Sequence, residues 1–117
     1  MRITLPWPPK VLSPNSRAHW RRKYAASLKC RRLAYYTATM ASADQREHVR
    51  DSLTLKMTLT FLPPDKRRRD LDNIEAAMKA YLDGIFQACK ADDSAIRMTV
   101  KTWGDVVQSG AVIVEII

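Results

Sequence analysis

From Leu53 to Phe61 every second residue is apolar, and that pattern limits the fold more than any other stretch of the chain. Leu53, Leu55, Met57, Leu59 and Phe61 point one way, and Thr54, Lys56, Thr58 and Thr60 point the other. A period of two predicts a half-buried strand over Ser52–Leu62, one face on a core and the other in water. Pro63-Pro64 ends it, because neither proline has an amide to give to a ladder. The strand thus delivers the chain into a loop at a sheet edge, and that loop reads Lys66-Arg67-Arg68-Arg69-Asp70-Leu71-Asp72-Asn73.

The other elements follow from the same kind of reading. Ile3–Leu5 starts a short strand that Pro6, Pro8 and Pro9 stop, and Pro14-Asn15-Ser16 marks a turn. From about Arg17 to Ala43 the pattern is helical, with Tyr24, Leu28, Tyr35 and Met40 as its apolar stripe and Arg21, Arg22, Lys29, Arg31 and Arg32 largely outside it. Asp44–Arg50 reads as a polar connection. A second helix is expected over Leu71–Lys90, burying Ile74, Met78, Tyr81, Leu82, Ile85 and Phe86. After the turn Asp92-Asp93-Ser94, Ile96, Met98 and Val100 alternate with Arg97, Thr99 and Lys101 in a third strand, and Ala111–Ile117 forms a fourth. The order β-α-β-α-β-β predicts an α/β or α+β fold, a small mixed sheet with two helices, in a single domain over residues 1–117.

Charge separates the two halves. The net charge is +8, yet residues 1–50 hold eleven Lys/Arg against two acids, while residues 51–117 hold nine against ten. A basic half beside a near-neutral half with clustered aspartates suggests a polyanion grip next to a chemical centre. Cys30 and Cys89 lack metal-site spacing and sit in helical patterns, as buried thiols of a reducing cytosol do. No run approaches the ~18 apolar residues of a membrane span, and the N-terminal residues lack a hydrophobic signal region. The expectation is a cytoplasmic protein with no membrane partner and no small-molecule cofactor. His19 and His48 have no partner at a telling spacing and read as surface residues.

The run from Lys66 to Asn73 carries the chemistry. Its cations suit phosphate. Asp70 and Asp72, two positions apart, offer hard oxygens to Mg²⁺, with Mn²⁺ as the alternative; such an ion takes one or two carboxylates plus water and substrate phosphate. A helix N-terminus with acids on its dipole, preceded by a basic loop, is the plainer reading of the same residues. Arg67–Arg69 would hold the backbone without reading bases, and Asn73 would orient Asp72 or cap the helix. Asp92 and Asp93 lie past the far end of the second helix, ~26 Å away if it is unbroken. Either the helix breaks at Asp83-Gly84, or two chains meet about a twofold axis and the ligands join in trans.

These residues resemble the signature of the RusA-type Holliday-junction resolvases, and the match covers most of the chain. The opening Ile3-Thr4-Leu5-Pro6-Trp7-Pro8-Pro9 is similar to the family's N-terminal strand and proline loop, with Asn15 soon after. Arg67-Arg68-Arg69-Asp70-Leu71-Asp72-Asn73 matches the central motif, and Asp92-Asp93 falls where the family has its aspartate pair. The resemblance implies a homodimeric, Mg²⁺-dependent crossover junction endodeoxyribonuclease that nicks four-way DNA junctions symmetrically in recombination and repair. It implies Asp70, Asp72 and Asp93 as metal ligands, and Lys66, Arg67, Arg68, Arg69, Asn15 and Asn73 as DNA contacts. The family's catalytic lysine, three residues past the Asn, is here Ala76. Lys79, one turn further on roughly the same face, is the candidate replacement, the alternative being a solvated helix lysine. If nothing replaces it, the chain binds branched DNA and cuts it poorly. A nuclease acting on ordinary duplex or RNA is the third reading.

Overall fold

In the computed structural model, which describes residues 1–117, the period-two run becomes β2 (Leu55–Leu62). β4 (Ala111–Ile116) pairs with it antiparallel on one side and β3 (Ile96–Trp103) parallel on the other; β1 (Arg2–Pro6) lies antiparallel beyond β4. The strand order β1-β4-β2-β3 leaves β1 and β3 at the edges. Leu55, Met57, Leu59 and Phe61 are buried with Ile3, Leu5, Val112, Val114 and Ile116, one continuous core face beneath the helices. The strand is shorter than the alternation: Ser52 ends the preceding helix, and Leu53 stays exposed.

There are four helices rather than two. α1 (Trp20–Thr39) stops before Ser42, whose hydroxyl accepts the Gln45 amide and starts α2 (Ala43–Asp51) where a polar connection was expected. The face α1 buries is also different. Cys30, Ala34 and Ala38 are buried, whereas Tyr24 and Met40, taken for the buried stripe, are 64% and 86% exposed. The reason lies in the partner helix. Gly84 sits in α4 (Lys79–Cys89), and a Cβ there would stand 2.2 Å from the Arg31 carbonyl oxygen. Backbones that close leave room only for small side chains.

The expected helix over 71–90 is split, though not at Gly84. α3 (Leu71–Ala77) ends in a tight turn at Met78, whose amide turns to the Glu75 carbonyl, and α4 starts anew. The observed order is β-α-α-β-α-α-β-β. β3 carries the other correction. Ile96 pairs with Leu55, but Lys56 pairs with Met98, so one extra residue, Arg97, interrupts the ladder. A slip of one residue exchanges faces. Met98 and Val100 therefore point away from the core, 56% and 38% exposed, while Thr99 and Lys101 turn towards the helices.

Two contacts fix the proline loop. Tyr81, buried in α4, donates its hydroxyl to the Pro6 carbonyl at 3.0 Å. Trp7 meets the edge of Phe61, ring centroids 6.3 Å apart, over Gly110. Gly110 has φ +69°, and a Cβ there would lie 2.9 Å from that of Trp7, so glycine is required on both counts.

Candidate functional site

The loop leaving β2 is folded around Asp65. Its carboxylate accepts the Arg67 amide at 2.9 Å, the Arg67 Nε at 3.2 Å and the Arg69 guanidinium at 2.7 Å. The backbone amide first, then the guanidinium groups, hold this carboxyl down at about 2 against an ordinary 3.8. Arg69 also donates to the Asp65 and Arg67 carbonyls, both at 3.1 Å, and lies over the Trp7 ring at 5.4 Å. With its side chain 16% exposed, Arg69 fastens the loop to the proline segment. Lys66 and Arg68 are exposed and make no ion pair, and Arg67 keeps most of its side chain in solvent despite pairing with Asp65.

The loop and the proline segment enclose a cleft of about 330 Å³ lined by Trp7, Lys10, Arg67, Arg68, Asp70 and Asn73. Lys66 faces the other side of the loop, towards Trp103 and Val106. Asn15 sits in an adjoining hollow with Arg17 and Arg22, and Lys10 and Ser13 line both depressions.

Asp70, which lines the cleft, is the residue that caps α3: its Oδ1 accepts the Asp72 amide at 3.0 Å, which leaves the second oxygen without a hydrogen-bond partner and frees Asn73 from a capping role. Asp72, in the first turn, is exposed and meets Lys101 Nζ at 3.3 Å; the same ammonium donates to Glu75 at 2.7 Å. Glu75 first and then Asp72 raise the Lys101 pKa. Lys79 stands elsewhere. It lies beyond the break, 82% exposed, 3.7 Å from Asp83, so the cation in contact with Asp72 comes from β3.

Asp93 is remote from this corner. β2 and β3 run parallel, so the Asp92–Asp93 turn precedes the start of β3 and the basic loop follows the end of β2; α4 alone intervenes for about 17 Å. Asp92 caps its own turn through the Ser94 amide at 3.0 Å, leaving Asp93 exposed. No group of three acidic, histidine or cysteine side chains converges within the chain. Both cysteines are buried, and burial pushes their thiols up. His19 caps α1, its Nδ1 accepting the Arg21 amide at 3.1 Å. No helix is long and apolar enough to cross a membrane.

Two residues of the site escaped sequence reasoning. Asp65 had a legible signal, an acid four before Arg69. Lys101 had none, since only the bulge at Arg97 turns it inward.

The fold and site together define an α+β protein with a cation-lined cleft beside paired carboxylates. No family model matches the chain. An uncharacterized protein of Xylella fastidiosa is 38% identical over 91 residues, 78% of this chain. The chain spans 59% of that relative's length. Among solved structures, a thiamine-monophosphate kinase from Stenotrophomonas maltophilia aligns with 99% of this chain and 29% of its own, at 15% identity and a TM-score of 0.36, a likeness that carries no argument.

Proposed function

We propose that this chain is a RusA-type, Mg²⁺-dependent endodeoxyribonuclease, a cytoplasmic homodimer that resolves four-way DNA junctions by paired nicks. The observation that carries this reading is one cleft lined by exposed Arg67 and Arg68 together with Asp70, one of whose carboxylate oxygens has no hydrogen-bond partner. The guanidinium groups hold a phosphodiester by charge. Asp70 and Asp72, one helical turn with unfilled oxygens, fit a cation that completes its shell with water and substrate phosphate. Held there by Asp70 and Asp72, it would supply the Lewis acidity that phosphodiester hydrolysis needs. Lys101 bridges Asp72 and Glu75, and gives the site the ammonium that α3 lacks at Ala76. We assign that role to Lys101 in place of Lys79.

The free edge of β3 supports the dimer. Pairing two β3 edges antiparallel about a twofold axis near Thr99–Val100 sets the start of one strand beside the end of the other. Asp93 of a second copy then approaches the corner of Asp70, Asp72 and Lys101, which a single chain cannot arrange. A second reading, branched-DNA binding with little cleavage, draws on Ala76 and on the absence of three converging carboxylates within one chain.

A cleavage assay on a four-way junction, duplex and single strand, with Mg²⁺ and with chelator, separates the readings. Asp70→Asn is expected to keep junction binding and to lose nicking. Nicking at the wild-type rate by that variant ends the metal-site reading; junction binding without nicking by the wild-type chain favours the second.

A further inference from the structure

We infer that the solvent face of α1 is a second DNA-binding surface, seating the phosphate backbone of a duplex next to the cleft. The inference rests on the reading that this chain acts on DNA, but it concerns residues outside the cleft. α1 carries six cations and no acid in twenty residues, and no acid occurs before Asp44. Its buried side is the small-residue stripe of Cys30, Ala34 and Ala38 against α4. The opposite side therefore collects Arg22, Lys29, Leu33, Tyr36 and Met40, spaced 7, 4, 3 and 4, with Arg21 and Arg32 flanking them.

Three observations favour a polyanion over an apolar partner. The cations of this face make no ion pair with any carboxylate, so their charge is free to meet a ligand's. An aromatic side chain stands among them: Tyr36 is 63% exposed. The face is also continuous with the cleft. Arg22 lines the hollow that holds Asn15 and Arg17, and Lys10 and Ser13 join that hollow to Arg67 and Arg68. A convex helix of this kind fits the major groove, which is about 12 Å wide, better than it would track a single strand. From Arg22 to Tyr36 the face runs about 21 Å, several phosphates of one strand.

The test compares two triple variants of the full chain that remove equal charge. One is Arg22→Gln, Lys29→Gln and Arg32→Gln on α1; the other is Arg2→Gln, Lys56→Gln and Lys90→Gln, all exposed and outside α1. Binding to a plain duplex is measured by fluorescence anisotropy across a KCl series, independent of cleavage. The α1 triple is expected to weaken binding by about tenfold or more and to reduce the salt slope by about 2–3, since each phosphate contact contributes about 0.9. The control triple is expected to leave the slope near the wild-type value. Equal losses from both triples, an unchanged slope from the α1 triple, or losses confined to single strands or to anionic lipid vesicles would overturn the inference. A chain that never nicks DNA yet shows the expected slopes refutes the nuclease reading and leaves this one standing.

Discussion

At the residue scale, the site depends on two charges that organise rather than react. Asp65 shapes the basic loop only while ionised. Its folded pKa of about 2 lies below the ordinary 3.8, so its contribution is present above the ordinary value and is lost as pH falls through about 2. Thermal melting from neutral to strongly acid pH checks this: Asp65→Asn should melt below the wild type at neutral pH, and the gap should close over that acid range. Lys101 is the second organiser. Lys101→Met leaves Asp72 and Glu75 facing each other without their shared cation. It should cut junction nicking by at least about tenfold, the scale of one lost electrostatic contact at a reacting centre, while Lys79→Ala nicks normally. The reverse ranking in single-turnover assays returns the role to Lys79.

At the level of elements, α1 and α4 bring their backbones together at Gly84. Gly84→Ala places a methyl against the Arg31 carbonyl, with the Tyr35 amide 3.0 Å away, and neither backbone can yield locally. A cost of roughly 2–3 kcal/mol follows from overpacking, which for a domain this small lowers Tm by roughly 10 °C or more. Calorimetry reads it directly, and a Tm within a degree or two of the wild type would show that the helices slide apart freely. The same contact explains a misreading of α1. Helical spacing alone favoured Tyr24, Leu28, Tyr35 and Met40 as the buried side, because large apolar groups normally gain most from burial. Close backbones instead favour the small Cys30, Ala34 and Ala38, leaving Tyr24 and Met40 exposed while Leu28 stays half-buried and Tyr35 packs against the rim of the core. α2 was missed for a different reason: its single buried residue, Val49, provides no stripe to detect.

At the scale of the whole molecule, β1 and β3 are both free edges, and β3 is the longer of the two. β3 pairs only with β2 and shows Met98 and Val100 to solvent, an arrangement that folded proteins usually cover or charge. On the proposed twofold arrangement, Val100→Arg should shift the chain from dimer to monomer in sedimentation equilibrium and abolish paired nicking, with the monomer still folded by circular dichroism. A wild-type chain that sediments as a monomer at micromolar concentration removes the twofold site, and with it the part given to Asp93.

What the sequence determined by itself was local. The period of two over β2, the prolines that end it, the crowding of cations against Asp70 and Asp72, and the buried thiols all follow from neighbours a few residues apart. They are set by side-chain alternation, missing amides and like charge, none of which needs a partner element. The tertiary structure decided everything that depends on phase and distance. One bulged residue turned Lys101 towards Asp72, one glycine chose which face of α1 is buried, and the parallel pairing of β2 with β3 separated Asp93 from the cleft. Each is a contact between segments distant in sequence, where a shift of one residue or a few ångströms reverses the outcome while leaving the local pattern unchanged.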